Sequence, residues 1–118
     1  MRRHSYALAL FLLALALSAY GFEKDKEDPN VRSVHGTVFD AKDNAVEGAV
    51  VKLKNSRTLQ VRSFITQQDG SYYFHGLSTN VDYELKAEHS GASSQSKTLS
   101  IYDSRKKALI HLRLESGS

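Results

Sequence analysis

From Ser33 onward, apolar and polar residues alternate in short runs broken every 8 to 12 positions by turn-forming residues, the spacing of an all-β sandwich. Across "SVHGTVF" the alternation puts Val34, Gly36 and Val38 on one face and His35, Thr37 and Phe39 on the other. "DAKDNAVEG" breaks that run, and "AVVKLK" then sets Ala49, Val51 and Leu53 inward against Val50, Lys52 and Lys54. "LQVRSFIT" and "SYYFHG" flank Asp69-Gly70, a pair that reads as the turn of a hairpin between 60–66 and 71–76, because glycine takes positive φ and aspartate tolerates the turn. That hairpin predicts Tyr72 and Phe74 facing the core with Ser63 and Ile65, while Arg62, Phe64, Tyr73 and His75 face outward. In "VDYELKAEH" the inward set is Tyr83, Leu85 and Ala87. "SGASSQS" reads as a turn, "KTLSIY" offers Leu99 and Ile101, and "ALIHLRL" offers Ile110, Leu112 and Leu114. The expectation is seven strands in an antiparallel, Greek-key-type β-sandwich.

The start of the chain follows a different rule. "MRRHSYALALFLLALALSAYG" has a basic opening, an apolar run and small residues at its end, the layout of a secretory signal peptide, with cleavage after Ser18, Ala19 or Gly21. The apolar run is shorter than the ~20 residues that span a bilayer, so a removed signal is favoured over a retained anchor. The organisation expected is a signal helix at 1–21, a charged leader at 22–32, a domain at 33–114 and a tail at 115–118. The location expected is the periplasm or outside the cell, with the membrane met only transiently through the signal.

Removing the signal changes the charge. The formal +3 of the whole chain falls to about +1 without Arg2 and Arg3, too little for the basic footprint that nucleic acid requires. No cysteine is present, which excludes disulfides, a thiol nucleophile and thiolate metal ligands. His35, His75, His89 and His111 lie on separate segments without ligand spacing. Neither a Gly-x-Ser-x-Gly elbow nor a glycine-rich phosphate loop occurs. No catalytic residue, metal or cofactor is therefore expected, and the chain reads as a non-enzymatic module.

"VHGTVFDAKDNAVEGAVVKLKN" followed by "ITQQDGSYYFHGLSTNVDYELKAEHSG" resembles the carboxypeptidase regulatory-like domain, a transthyretin-like β-sandwich of secreted bacterial proteins. Gly36, Gly48, Asp69, Gly70, Tyr72, Phe74 and Tyr83 stand at that family's structural positions, and the resemblance spans about residues 33 to 114. It implies a fold more than an activity. The candidate binding residues are the outward set of the hairpin, Phe64, Tyr73, Arg62 and His75, in which Phe64 and Tyr73 would form an exposed aromatic patch. The partner expected is an extracytoplasmic protein, with a glycan stacked on those aromatics as the alternative.

Overall fold

A computed structural model describes residues 28–115. The expected signal helix and most of the expected leader fall outside the described residues, as does the tail beyond Glu115. Nine strands make one mixed sheet, and no helix occurs among the described residues. They are β1 (Val31–Phe39), β2 (Val50–Asn55), β3 (Val61–Ile65), β4 (Ser71–Ser78), β5 (Tyr83–His89), β6 (Ala92–Ser94), β7 (Lys97–Leu99), β8 (Lys107–Leu109) and β9 (Leu112–Glu115).

The sheet runs β3-β2-β5-β6-β9-β1-β4, with β7 beside β5 and β8 beside β1, so it wraps around a single core and is nearly barrel-like. Val34, Val38, Val51, Leu53, Tyr72, Leu77, Leu85, Leu99 and Leu112 are almost fully buried in that core. Each such aliphatic side chain contributes about 2–3 kcal/mol by leaving water. The inward faces expected of 34–38, 49–53 and 83–87 are the ones observed.

Three expectations are corrected. The strands number nine rather than seven, and the sheet is mixed rather than antiparallel, because β8 and β9 both run parallel to β1. "ALIHLRL" divides into β8 and β9 around Ile110-His111, which cross over Gly36. The Ile110 N–H donates to the His35 carbonyl at 2.9 Å, and a Cβ on Gly36 would lie 1.9 Å from the Ile110 carbonyl oxygen. Glycine is required there for close approach. The Tyr72 hydroxyl donates to that same carbonyl, and burial raises its pKa well above the phenol range.

The second correction concerns "SGASSQS", expected as a turn. Its centre is β6, which pairs with β5 and β9. The Ser94 hydroxyl is buried, accepts the Ala87 N–H at 2.8 Å and donates to the Gln95 carbonyl at 3.0 Å. A serine satisfied in this way loses its reason to prefer a turn.

The third correction is the hairpin. Asp69-Gly70 does form a tight turn: Gly70 has φ +76°, its N–H donates to the Gln67 carbonyl at 2.8 Å, and the Asp69 carboxylate accepts the Ser71 N–H at 3.0 Å. Those hydrogen bonds to Ser71 hold the Asp69 pKa below its ordinary value. The strands on either side then part, because β3 pairs with β2 and β4 pairs with β1. Two anchors pull them apart. The buried Thr66 hydroxyl accepts the Ala49 N–H at 2.8 Å and donates to the Val46 carbonyl at 2.6 Å, while the Gly70 carbonyl accepts the Val38 N–H at 2.9 Å. The turn thus carries the chain from one edge of the sheet to the other.

Candidate functional site

Rerouting the turn inverts the parity of β3. Phe64 packs inward, its ring 6.1 Å from Phe74 in an edge-to-face contact, and Ile65 is 66% exposed. Ser63 also faces water. The expected core positions of Ser63 and Ile65, and the outward position of Phe64, are corrected together. Arg62 lies over the Phe74 ring at 5.6 Å and donates to the His75 carbonyl at 3.1 Å, bridging the open side between β3 and β4. Phe64 and Tyr73 therefore do not share a patch.

Tyr73 and His75 are brought together, on the outer face of β4. Residues two apart on a strand point the same way, and these rings stack at 5.7 Å with an interplanar angle of 24°. Strand register completes the face. Across β1, His35 sits opposite Tyr73 on one side and Leu109 on the other, and Ser33 sits beside Lys107. Tyr73 and Leu109 are each 48% exposed.

Two shallow hollows flank the Tyr73 ring. One, of about 330 Å³, is bounded by Val31, Ser33, His75, Lys106 and Lys107. The other, of about 460 Å³, is bounded by His35, Thr37, Ser71, Lys107 and Leu109. Among the described residues their charge is cationic in balance, with Asp28 the sole carboxylate on either wall. Lys106 gives its ammonium to the carbonyls of Asp28 and Val31, whereas the Lys107 ammonium has no hydrogen-bond or ion-pair partner among the described residues. Such a face can stack, donate hydrogen bonds and hold an anionic group. Among the described residues no three His, Asp or Glu side chains converge on a point where a metal could sit.

The remaining motif residues serve the frame. Tyr83 is buried, and its hydroxyl accepts the Ser78 N–H at 2.9 Å. Gly48 lies in the turn before Ala49, its N–H bonded to the Thr66 carbonyl at 3.1 Å. His111 turns its Nδ1 to accept the Thr37 N–H at 3.1 Å, which leaves Nε2 to carry the proton.

Sequence reasoning missed the residue that organises the end of the domain beside the first hollow. Arg32, assigned to the leader, is 3% exposed. Its guanidinium donates to the carbonyls of Ser78 (3.0 Å), Ser100 (2.8 Å), Asp103 (3.3 Å) and Val81 (2.8 Å), and no carboxylate among the described residues pairs with it. A fork of five N–H donors suits this job as an ammonium would not. One consequence is a further correction: β7 ends at Leu99, and Ile101, expected in the core, is 43% exposed. The Ile101 N–H is taken by the Asp82 carboxylate at 2.7 Å, which bends the chain outward. Tyr102 follows at 90% exposure. The basic stretch at 105–107 is also tamer than it reads. Arg105 pairs with Asp103 at 2.7 Å and draws its carboxyl down to about 2.

A small all-β domain with a buried guanidinium, an aromatic core and a shallow aromatic face defines the class of protein. Residues 33–115 match the sequence model of the carboxypeptidase regulatory-like domain, and the chain belongs to that family. Comparison with curated proteins found no match. Among solved structures, BcpA, the major pilin subunit of Bacillus cereus, is similar over 75% of this chain and 31% of its own, with a TM-score of 0.58 at 13% identity. The Bacillus anthracis TIE protein is similar over 72% of this chain and 16% of its own, with a TM-score of 0.56 at 18% identity. Catechol 1,2-dioxygenase from Acinetobacter sp. ADP1 is similar over 76% of this chain and 54% of its own, with a TM-score of 0.53 at 12% identity. The chain thus matches a minor part of the two Bacillus proteins and about half of the dioxygenase. These likenesses concern the fold.

Proposed function

We propose that this chain is an extracytoplasmic, non-enzymatic interaction module of Greek-key sandwich form, exported by its N-terminal segment, and that it meets its partner through the outer face of β4, β1 and β8. The observation that carries the reading is the exposed Tyr73 ring stacked on His75 between two hollows. An aromatic on a strand is held rigid, so it buries area on binding at low entropic cost. The family supports a non-catalytic role. The likeness to BcpA, a major pilin subunit, supports a structural or interaction role by its fold alone.

A protein partner is the first reading. A glycan is the second, favoured by the exposed aromatic face and now resting on Tyr73 without Phe64. Two measurements separate them. A photo-cross-linking residue at Leu109, across His35 from Tyr73 on the same face, should capture a protein in the exporting cell, while the same residue at Lys86, on the opposite outer face, should not. In nitrogen–proton NMR titrations with oligosaccharides, saturable shifts at Tyr73, His75, His35 and Leu109 would favour the glycan. Cross-links at neither position, together with a spectrum that ignores every sugar, would overturn this face as the binding surface. Tyr73→Ala should abolish whichever signal is found and leave stability within about 0.5 kcal/mol.

A further inference from the structure

The described strand with the largest share of exposed residues is β3, a surface separate from the face described above. Register and hydrogen bonds define which of its groups are free. Thr66 N–H donates to the Ala49 carbonyl at 2.8 Å and Asn55 N–H donates to the Gln60 carbonyl at 2.9 Å. In an antiparallel ladder the hydrogen-bonded pairs alternate, so within the register of β2 and β3 the pairs Val51–Phe64 and Leu53–Arg62 are also hydrogen-bonded ones. Arg62 and Phe64 direct their backbone groups to β2. Val61, Ser63 and Ile65 direct theirs away from it, to an edge where no strand among the described residues pairs.

The same three residues turn their side chains to the outer face, Val61 at 53% and Ile65 at 66% exposure. Proteins blunt such edges with proline, lysine or bulges, and β3 has none of these. Its one charge, Arg62, is tied to the neighbouring edge, where it covers the His75 carbonyl of β4. One of the two adjacent edges is guarded and the other is not.

We propose that β3 is a self-pairing edge, by which two copies of this chain join through antiparallel pairing of Val61–Ile65 about a two-fold axis at Ser63. The segment is complementary to itself in that register. Ser63 faces Ser63 of the second copy, and Val61 faces Ile65 in both directions, so every free N–H and C=O of those three residues gains a partner. On the outer face Val50 lies beside Ile65, which extends each Val61–Ile65 contact into an apolar row. On the inner face Arg62 comes opposite Phe64, a cation beside a ring. The nearest like charges across the axis are the two Arg62 guanidinium groups, diagonal neighbours about 8 Å apart at the Cα atoms, each drawn over the Phe74 ring and onto the His75 carbonyl of its own copy. The two Lys52 ammonium groups stand three strand spacings apart, about 14 Å at the Cα atoms, beyond the screening length of about 8–10 Å. Lys52 is also paired with Glu88 at 3.1 Å. A five-residue strand buries less than the ~1,200 Å² of a standard interface, so the dimer is a reversible one, suited to copies held at high local concentration.

Sedimentation velocity of the purified chain between about 5 and 500 μM, a range that reaches weak association, should show a monomer–dimer equilibrium. Amide exchange should slow with concentration at Val61, Ser63 and Ile65 and stay constant at Arg62 and Phe64. Ser63→Pro removes a donor that β2 does not use and should weaken the dimer about tenfold or more. Ser63→Lys sets two like charges opposite each other and should weaken it about fivefold; it also keeps the test intact if the proline variant fails to fold. A monomer at every concentration would overturn the proposal. A dimer whose odd and even amides respond alike, or one indifferent to Ser63→Lys, would overturn it too, by placing the interface elsewhere.

Discussion

β1 and β3 are both alternating strands with a valine near the start and a phenylalanine near the end, yet their circumstances are opposite. β1 pairs with β4, β8 and β9, holds the buried Arg32, and accepts a crossing chain over Gly36. Among the described residues β3 pairs with β2 alone, and it leaves Val61 and Ile65 in water. Strand chemistry alone does not separate them; the number of neighbours does. A strand enclosed on both sides becomes the frame, and residues on it carry stability. A strand at the rim has little stability to lose, and what it offers is an edge.

The comparison can be broken most directly at Arg32. Arg32→Met keeps the length and apolar stem of the side chain but leaves several buried carbonyls without a donor, each costing about 1–3 kcal/mol less whatever water restores. A loss of about 3 kcal/mol is expected in urea denaturation, with the amides of residues 99–105 losing protection first. A loss under about 1 kcal/mol would mean that the guanidinium is dispensable and β1 is no more a frame than β3.

A smaller effect sharpens the same contrast through pH. The carboxyl of Asp103, on the loop that Arg32 holds, titrates at about 2 in place of 3.8, because Arg105 hydrogen-bonds it and the Arg32 charge adds to the effect. A lowered pKa means that the ionised form favours folding: the contribution is complete above pH ~4 and disappears as pH falls through about 2. The pair is largely solvent-exposed on the arginine side, so screening keeps it to about 1 kcal/mol at most. Denaturation midpoints measured between pH 5 and 2 should converge for the wild type and Asp103→Asn as acidity increases. A constant gap between them would show that the ion pair is not the cause.

The smallest effect belongs to β3. Ile65→Thr should alter stability by no more than about 0.5 kcal/mol, since the side chain stands in water. A cost of 2 kcal/mol would place Ile65 in the core and return the hairpin to the pairing that alternation alone predicts.

Much of the frame was legible. Alternation marked Val34, Val38, Val51, Leu53, Leu85 and Leu112 as core, and each is buried, because a strand with one dry face cannot slip by a single residue without exposing every one of them. The candidate site was legible in part. Tyr73 and His75 were picked out by parity on one strand, whereas their neighbours His35, Leu109 and Lys107 come from strands about 35 residues away on either side in sequence. Nothing in the local pattern of β4 names them. Arg32 was illegible because a charged residue following a charged leader reads as solvated, and only the assembled end of the sheet supplies the carbonyls that allow its burial.

The sequence by itself determined the secondary structure wherever one face is continuously apolar, the turn at Asp69-Gly70, and the family. Tertiary structure decided where the turn leads. A two-residue signal specifies a reversal of the chain, but the partner of each strand depends on the anchors beyond it, Thr66 to Ala49 and Val46, Gly70 to Val38. Those hydrogen bonds join residues brought together by the sheet as a whole, so the fate of Phe64, the exposure of Ile65 and the open edge of β3 were set by pairing rather than by pattern.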